Sequence, residues 1–205
     1  MSRSFKDMDL GDFLKRLGSG DPTPGGGAAA ALTSAQGAAL IMMVANLTIG
    51  KPEYAEFEEL NKEVLGEAEV LLGSLTDGIA NDADAFGKVS AAYALPKDDE
   101  GIRSAEIASA SVLAAEAPLM VMEDSLAALR LAVNLKGRSN KRLESDIYVA
   151  ARCLDAGIRS ASYNVEANLP AIAKADPALA SEMRQHAAGI LSETEALISE
   201  IRGKK

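Results

Sequence analysis

Asp82 and Asp84 stand in Ala80-Asn81-Asp82-Ala83-Asp84-Ala85-Phe86, two acids inside an otherwise apolar helical register. On a helix, Asp82 and Phe86 share a face one turn apart. An inward-facing Asp82 would lose hydration, its pKa would rise, and it could move protons near neutral pH; an acid on a helix more often simply meets solvent. Lys51 is the first charge after a long neutral stretch, a place where the helix dipole alone favours a lysine. Asn164 and Asn168 also lie one turn apart on an apolar segment. Asparagine is a poor interior helix residue, so the pair points to a hydrogen-bonding role or a buried polar bridge.

The remaining chemistry is limited by one histidine, His186, and one cysteine, Cys153. Zinc hydrolases and zinc deaminases generally draw two or three His or Cys ligands from one chain, and the H-x-E with P-C-x-x-C pattern is absent, so no metal is expected. Cys153 sits among Ala151, Leu154 and Ala156 and reads as helix core, while His186 reads as a surface residue. A single cysteine excludes an internal disulfide and fits a reducing cytoplasm.

From Pro22 to Gly50 no residue is charged. The turn Pro22-Thr23-Pro24-Gly25-Gly26-Gly27 feeds an alanine-rich helix, whose first amides form a positive end suited to anionic or polar ligand atoms. A glycine turn that merely allows close packing is equally compatible with the spacing. The stretch is long enough to cross a bilayer, but Thr33, Ser34, Gln36, Asn46 and Thr48 interrupt it, so a buried central helix is expected rather than a membrane span. Gly25-x-Gly27-x-x-Ala30 approaches the dinucleotide fingerprint without the preceding strand, and no Gly-Lys-Ser/Thr follows to make a P-loop.

Positioning these residues is the task of an all-α fold, because apolar residues recur at helical spacing nearly everywhere and no strand pattern appears. A short helix is expected from Asp9 to Leu17, then the central helix to near Gly50. Pro52 opens an amphipathic helix, and a segment from about Asp77 to Tyr93 continues it or kinks from it near Gly73. Leu95-Pro96-Lys97-Asp98 is a loop. A helix from Glu100 kinks at Pro118 and ends at Leu135; the basic connection Gly137 to Lys141 follows. Ser145-Asp146 caps the next helix, which Pro170 ends, and the last runs from Pro177 to about Ile201. The 205 residues suit one domain that buries about 70% of its extended surface. Twenty-one basic against 30 acidic residues give a net charge of -9, which disfavours nucleic acid and anionic membranes as partners. The first residues, Met1 to Asp9, lack the apolar core of a signal peptide.

Pro22 to Gly27, Val44 to Lys51, Asp82 to Phe86, Ala92 to Lys97, Ser145-Asp146 and Asn164-Val165 resemble, in order, the signatures of the cyclodeaminase/cyclohydrolase family. That family includes the C-terminal half of formiminotransferase-cyclodeaminase and stand-alone bacterial methenyltetrahydrofolate cyclohydrolases. The resemblance runs from about Leu10 to Leu169. It implies a helical homodimer that handles the one-carbon bridge of tetrahydrofolate, either by reversible hydrolysis of the methenyl to the formyl derivative or by loss of ammonia from the formimino derivative. Folate is then the substrate, with no cofactor. The implied roles are proton transfer for Asp82, a supporting acid/base or pterin-binding role for Asp146, and charge stabilisation or orientation for Lys51. Pro24, Gly25, Gly26, Gly27, Asn46, Thr48, Asn140, Asn164 and Asn168 would contact the folate, and Lys97 and Arg138 its glutamate tail.

One block departs from the family. Ser139-Asn140-Lys141-Arg142-Leu143-Glu144 stands where Gly-Asn-x-Asn is the usual start, so backbone freedom is reduced and Arg142 replaces a neutral amide. The resemblance favours the cyclohydrolase, since no formiminotransferase half accompanies this chain. A separate transferase partner would favour the cyclodeaminase, and the altered block would favour a non-catalytic folate-binding helical protein.

Overall fold

Alanine, glycine and serine make up most of the buried face of the helix over residues 26–46, so its neighbours' backbones come close to it. The computed structural model describes residues 4–97 and 100–203, and among them there are α-helices and no strand. The helices are α1 (Leu10–Leu17), α2 (Gly26–Asn46), α3 (Glu58–Tyr93), α4 (Glu100–Leu135), α5 (Glu144–Ala175) and α6 (Pro177–Arg202). Short 3₁₀ turns occupy Phe5–Asp7, Pro52–Phe57 and Lys141–Leu143. Expectations touching residues 1–3, 98, 99, 204 and 205 (the leader-free start, the Asp98 end of the loop, the closing lysines) lie outside the described residues.

Consecutive long helices run antiparallel. Ala28 of α2 meets Asp82 of α3, Ser74 of α3 meets Asp124 of α4, Ala114 of α4 meets Asn168 of α5, and Arg159 of α5 meets Glu195 of α6. Helix α2 packs on α3, α4 and α5, while α6 covers the α4–α5 side. Leu75, Met122, Leu129, Leu154, Ile158 and Leu169 are fully buried between these layers. Each such side chain contributes about 1.5–3 kcal/mol. The α2–α5 seam is close enough that a methyl on Gly157 would overlap Ser34 Oγ and lie 3.2 Å from the Ala30 carbonyl. Ser34 is itself buried, and Ser125 of α4 donates to its hydroxyl at 2.7 Å, so the polar atom costs little.

Helix lengths create the one architectural irregularity that matters. Helix α2 has 21 residues, whereas α3, α4 and α5 have 36, 36 and 32. From Asp82, α3 continues to Tyr93, and from Asn164, α5 continues to Ala175, each about 16 Å beyond the start of α2. A notch is left where further turns of α2 would lie.

Several expected boundaries differ. Helix α5 runs through Pro170 to Ala175, because Leu169 and Ile172 are buried and their packing holds a turn that loses one backbone bond. Helix α4 likewise continues across Pro118, and α3 is unbroken at Gly73. Pro52 opens a 3₁₀ turn instead of the helix itself, since Tyr54 leaves the helical region at φ -120°. Ser145-Asp146 lies inside the first turn of α5 instead of capping it; the preceding 3₁₀ turn is capped by Asn140, whose side chain accepts from Arg142 N. Helix α2 stops at Asn46, short of Gly50.

Candidate active site

The notch at the start of α2 is a cleft of about 250 Å³, lined by Asp82, Ala85, Phe86, Val89, Ala114, Asn164, Ala167 and Asn168. Its polar centre is built by helix termini. Gly25 has no side chain to cap α2, and the first-turn amide of Ala28 instead donates to Asp82 Oδ2 at 3.0 Å. A carboxylate from α3 therefore serves as the cap of α2 and sits at its positive end. Gly27 makes that approach possible: a methyl there would overlap Asp82 Oδ1 and Cγ and stand 3.0 Å from Oδ2.

Two forces on Asp82 oppose each other. Half-burial disfavours the charged form and pushes its pKa above the ordinary carboxylate value, while the Ala28 amide pulls it back down. Burial wins, which gives the cleft a base able to take and return a proton closer to neutrality than a solvated aspartate could.

The two asparagines line the cleft from α5. Asn164 Oδ1 lies 3.7 Å from the point a Gly26 methyl would occupy, and Asn164 Nδ2 donates to Ser160 O at 3.0 Å. Asn168 Nδ2 donates to Asn164 O at 2.9 Å and to Ala114 O at 3.1 Å. The second bond has a clear origin: residue 118 is proline and has no N–H, so the Ala114 carbonyl four residues earlier is left without a helical donor. Asn168 supplies that donor from the neighbouring helix.

The other sequence-selected residues lie elsewhere. Thr48 and Asn140 are buried at the far end of α2, where Thr48 Oγ1 accepts from Asn140 N at 3.0 Å and donates to Val44 O at 2.7 Å. Asn140 Nδ2 reaches Leu47 O at 3.3 Å, so both side chains tie the 139–143 turn to the end of α2. Lys51, Asn46, Arg138 and Asp146 belong to the same end, with Asn46 and Arg138 exposed. Lys97 is exposed at the tip of the α3–α4 hairpin. Pro24 is buried, and the Thr23–Pro24 peptide is cis. Within one chain the candidates therefore form two groups at opposite ends of α2, about 30 Å apart. Asp82, Gly25, Gly26, Gly27, Asn164 and Asn168 form one group; Lys51, Asn46, Thr48, Arg138, Asn140 and Asp146 form the other. Arg142, the altered residue, is exposed with the second group.

Phe86, Val89 and the Pro118–Ala114 pair were missed by motif reading, although the i, i+4 spacing of Asp82 and Phe86 pointed to the first. No group of three or more His, Cys, Asp or Glu side chains among the described residues is arranged to hold a metal ion.

Comparison with known proteins agrees with this geometry. A family model described as formiminotransferase-cyclodeaminase matches residues 9–189. The chain is 42% identical over 188 residues to methenyltetrahydrofolate cyclohydrolase of Methylorubrum extorquens, covering 90% of this chain and 89% of that protein. It is 30% identical to formimidoyltransferase-cyclodeaminase of Sus scrofa, across 94% of this chain but only 36% of that longer protein. The crystal structure of formiminotetrahydrofolate cyclodeaminase from Thermotoga maritima superposes with a TM-score of 0.89 at 27% identity, covering 96% of this chain and 95% of that one. Helical architecture and sequence identity over most of the length thus agree, and the chain belongs to the formiminotransferase-cyclodeaminase family.

Proposed function

We propose that the protein hydrolyses 5,10-methenyltetrahydrofolate reversibly to 10-formyltetrahydrofolate by acid–base catalysis that uses no metal. The observation that carries this reading is the Asp82 carboxylate, fixed through Oδ2 by the Ala28 amide, half-buried, and lining a cleft of about 250 Å³. The substrate is an amidinium, whose bridging carbon lies between two nitrogens and shares a positive charge. Asp82 takes a proton from water as the water oxygen bonds to that carbon. The neutral tetrahedral adduct then collapses: the carbon–N5 bond breaks, Asp82 returns its proton to N5, and the hydroxyl proton leaves to solvent as the formyl C=O forms. One proton is released per turnover, as the stoichiometry requires. The 42% identity to the Methylorubrum cyclohydrolase over 90% of this chain supports the same choice.

The likeness to the Thermotoga protein favours a second reading, loss of ammonia from the formimino derivative, in which Asp82 protonates the departing nitrogen. Adding each folate to the purified protein and following absorbance of the methenyl compound separates the two. Accelerated loss of methenyltetrahydrofolate over the spontaneous rate, abolished in Asp82→Ala, is expected. Production of methenyltetrahydrofolate from the formimino substrate, without accelerated hydrolysis, would replace the cyclohydrolase by the cyclodeaminase and call for a separate transferase partner. The altered Ser139 to Glu144 turn leaves Asp82, its Ala28 bond and the two cleft asparagines of the same chain in place, which weighs against a non-catalytic role.

We read the protein as a cytoplasmic homodimer. The outer face of α2 carries Ala29, Thr33, Gln36, Leu40, Met43 and Leu47, a strip about 30 Å long with no charge. A second copy laid antiparallel across this strip by a two-fold axis would bring the Lys51 end of one α2 to the Asp82 end of the other. The two groups of candidate residues then share one site.

A further inference from the structure

The acid–base reading uses only the polar rim of the cleft and leaves its apolar wall unexplained. Phe86 stands one turn beyond Asp82 on α3, lines the cleft beside Val89, and is 43% exposed. Leaving a phenyl ring this open forgoes stabilisation that a packed position would give, and it leaves an aromatic ring available to whatever enters.

The asparagines define what the entering group must offer. Asn164 Nδ2 is committed to Ser160 O, and Asn168 Nδ2 to Asn164 O and Ala114 O. Carbonyl oxygens only accept, so both amides have a fixed orientation, with nitrogen on the helix and oxygen free. Neither Oδ1 receives a hydrogen bond from the described side chains or backbone. Proline at 118 reinforces the arrangement, since the carbonyl it frees is what holds the Asn168 nitrogen. Asp82 adds a further acceptor. The side-chain rim of the cleft is thus rich in acceptors beside one part-exposed aromatic ring.

We infer that the cleft holds a flat heterocycle with its ring against Phe86 and its N–H edge on the amide oxygens of Asn164 and Asn168. Resting on the folate reading above, that heterocycle is the reduced pterin, whose pyrimidine edge carries an amino group and a ring N–H side by side. Phe86 sets affinity for the ring and leaves the proton transfers to Asp82.

The test uses the full chain and two measurements: calorimetric Kd for tetrahydrofolate, which lacks the one-carbon bridge and cannot react, and steady-state kinetics with methenyltetrahydrofolate. Phe86→Ala is expected to raise Kd and KM about 10-fold with kcat within about 3-fold of the parent. Phe86→Tyr is expected to restore both to within about 2-fold, because the ring face is retained. Asn164→Ala, which removes only a local helix bond, is expected to raise Kd by about 5-fold. Because Phe86 is exposed, thermal melting of its variants should match the parent. An unchanged Kd in Phe86→Ala, or a Phe86→Tyr no better than Phe86→Ala, overturns the inference. A parent that binds tetrahydrofolate without accelerating hydrolysis overturns the cyclohydrolase reading alone, and the Phe86 series still decides this one. A parent that binds no folate overturns both.

Discussion

Gly27→Ala isolates the placement of Asp82 from the identity of Asp82. The new methyl would overlap Asp82 Oδ1 and Cγ and stand 3.0 Å from Oδ2, a contact the side chain can relieve only by rotating away or by pushing α3 off α2. Rotation breaks the charge-assisted bond from Ala28 N, worth about 1.5–3 kcal/mol, and removes the anion from the start of α2, worth about 0.3–1 kcal/mol. Alanine in place of glycine within a helix returns about 1 kcal/mol, and a carboxylate rotated toward water regains the hydration that burial had cost it, so the net loss of stability stays below about 3 kcal/mol. Loss of a positioned general base costs about 10²–10⁴ in rate. Activity should therefore fall by orders of magnitude while the protein stays folded. The assays are absorbance decay of methenyltetrahydrofolate and urea unfolding followed by circular dichroism. The double variant Gly27→Ala/Asp82→Ala should be no slower than Asp82→Ala, because both changes remove the same group. A Gly27→Ala protein that keeps kcat/KM within about 3-fold of the parent would refute the argument that the capped carboxylate performs the chemistry.

Two further outcomes follow from the same geometry. Because burial raises the Asp82 pKa, kcat/KM should fall with decreasing pH through a value above the ordinary carboxylate range, and a limb at the ordinary aspartate value would contradict a half-buried base. The stability sign is the opposite: the raised pKa gives a contribution fully present below the unfolded-state value and lost as pH rises through the folded one, so Asp82→Asn should flatten that part of a stability–pH curve. For the proposed dimer, Lys51→Ala and Asp82→Ala proteins, each inactive alone, should recover about a quarter of parental activity when unfolded and refolded as an equal mixture, since half the dimers are hybrids with one intact site of two. No recovery, with hybrids present by mass, would place Lys51 and Asp82 in separate roles.

Helix positions were legible in the sequence because core faces repeat at helical spacing, and glycine or proline punctuates most ends. Pro170 misled because a proline reports the loss of one backbone bond and says nothing of Leu169 and Ile172, whose burial outweighs it. The motifs named the residues but carried no distance between them: Thr48 and Asn140 are consumed by bonds joining the end of α2 to the 139–143 turn. Nor could a one-dimensional reading pair Pro118 with Asn168. That relation exists only once α4 and α5 are in register, and the orphaned Ala114 carbonyl meets an amide from 54 residues away.

The shortness of α2 explains why the chemistry sits where it does. If α2 extended as far as its neighbours, its further turns would fill the space between α3, α4 and α5, and Asp82 would be a fully buried carboxylate without water. By starting at Gly26, α2 instead brings its first-turn Ala28 amide to Asp82 at the edge of a solvent-reachable notch. The Ala28 amide favours the charged aspartate and burial disfavours it, so the two forces oppose each other at one carboxyl. An amidinium substrate uses that balance: its positive charge beside Asp82 favours the carboxylate before attack, and neutralisation of the adduct withdraws that support as the proton is needed at N5. Glycine at position 27 is then the element that admits the carboxylate to the helix end, and burial keeps the competing desolvation in place.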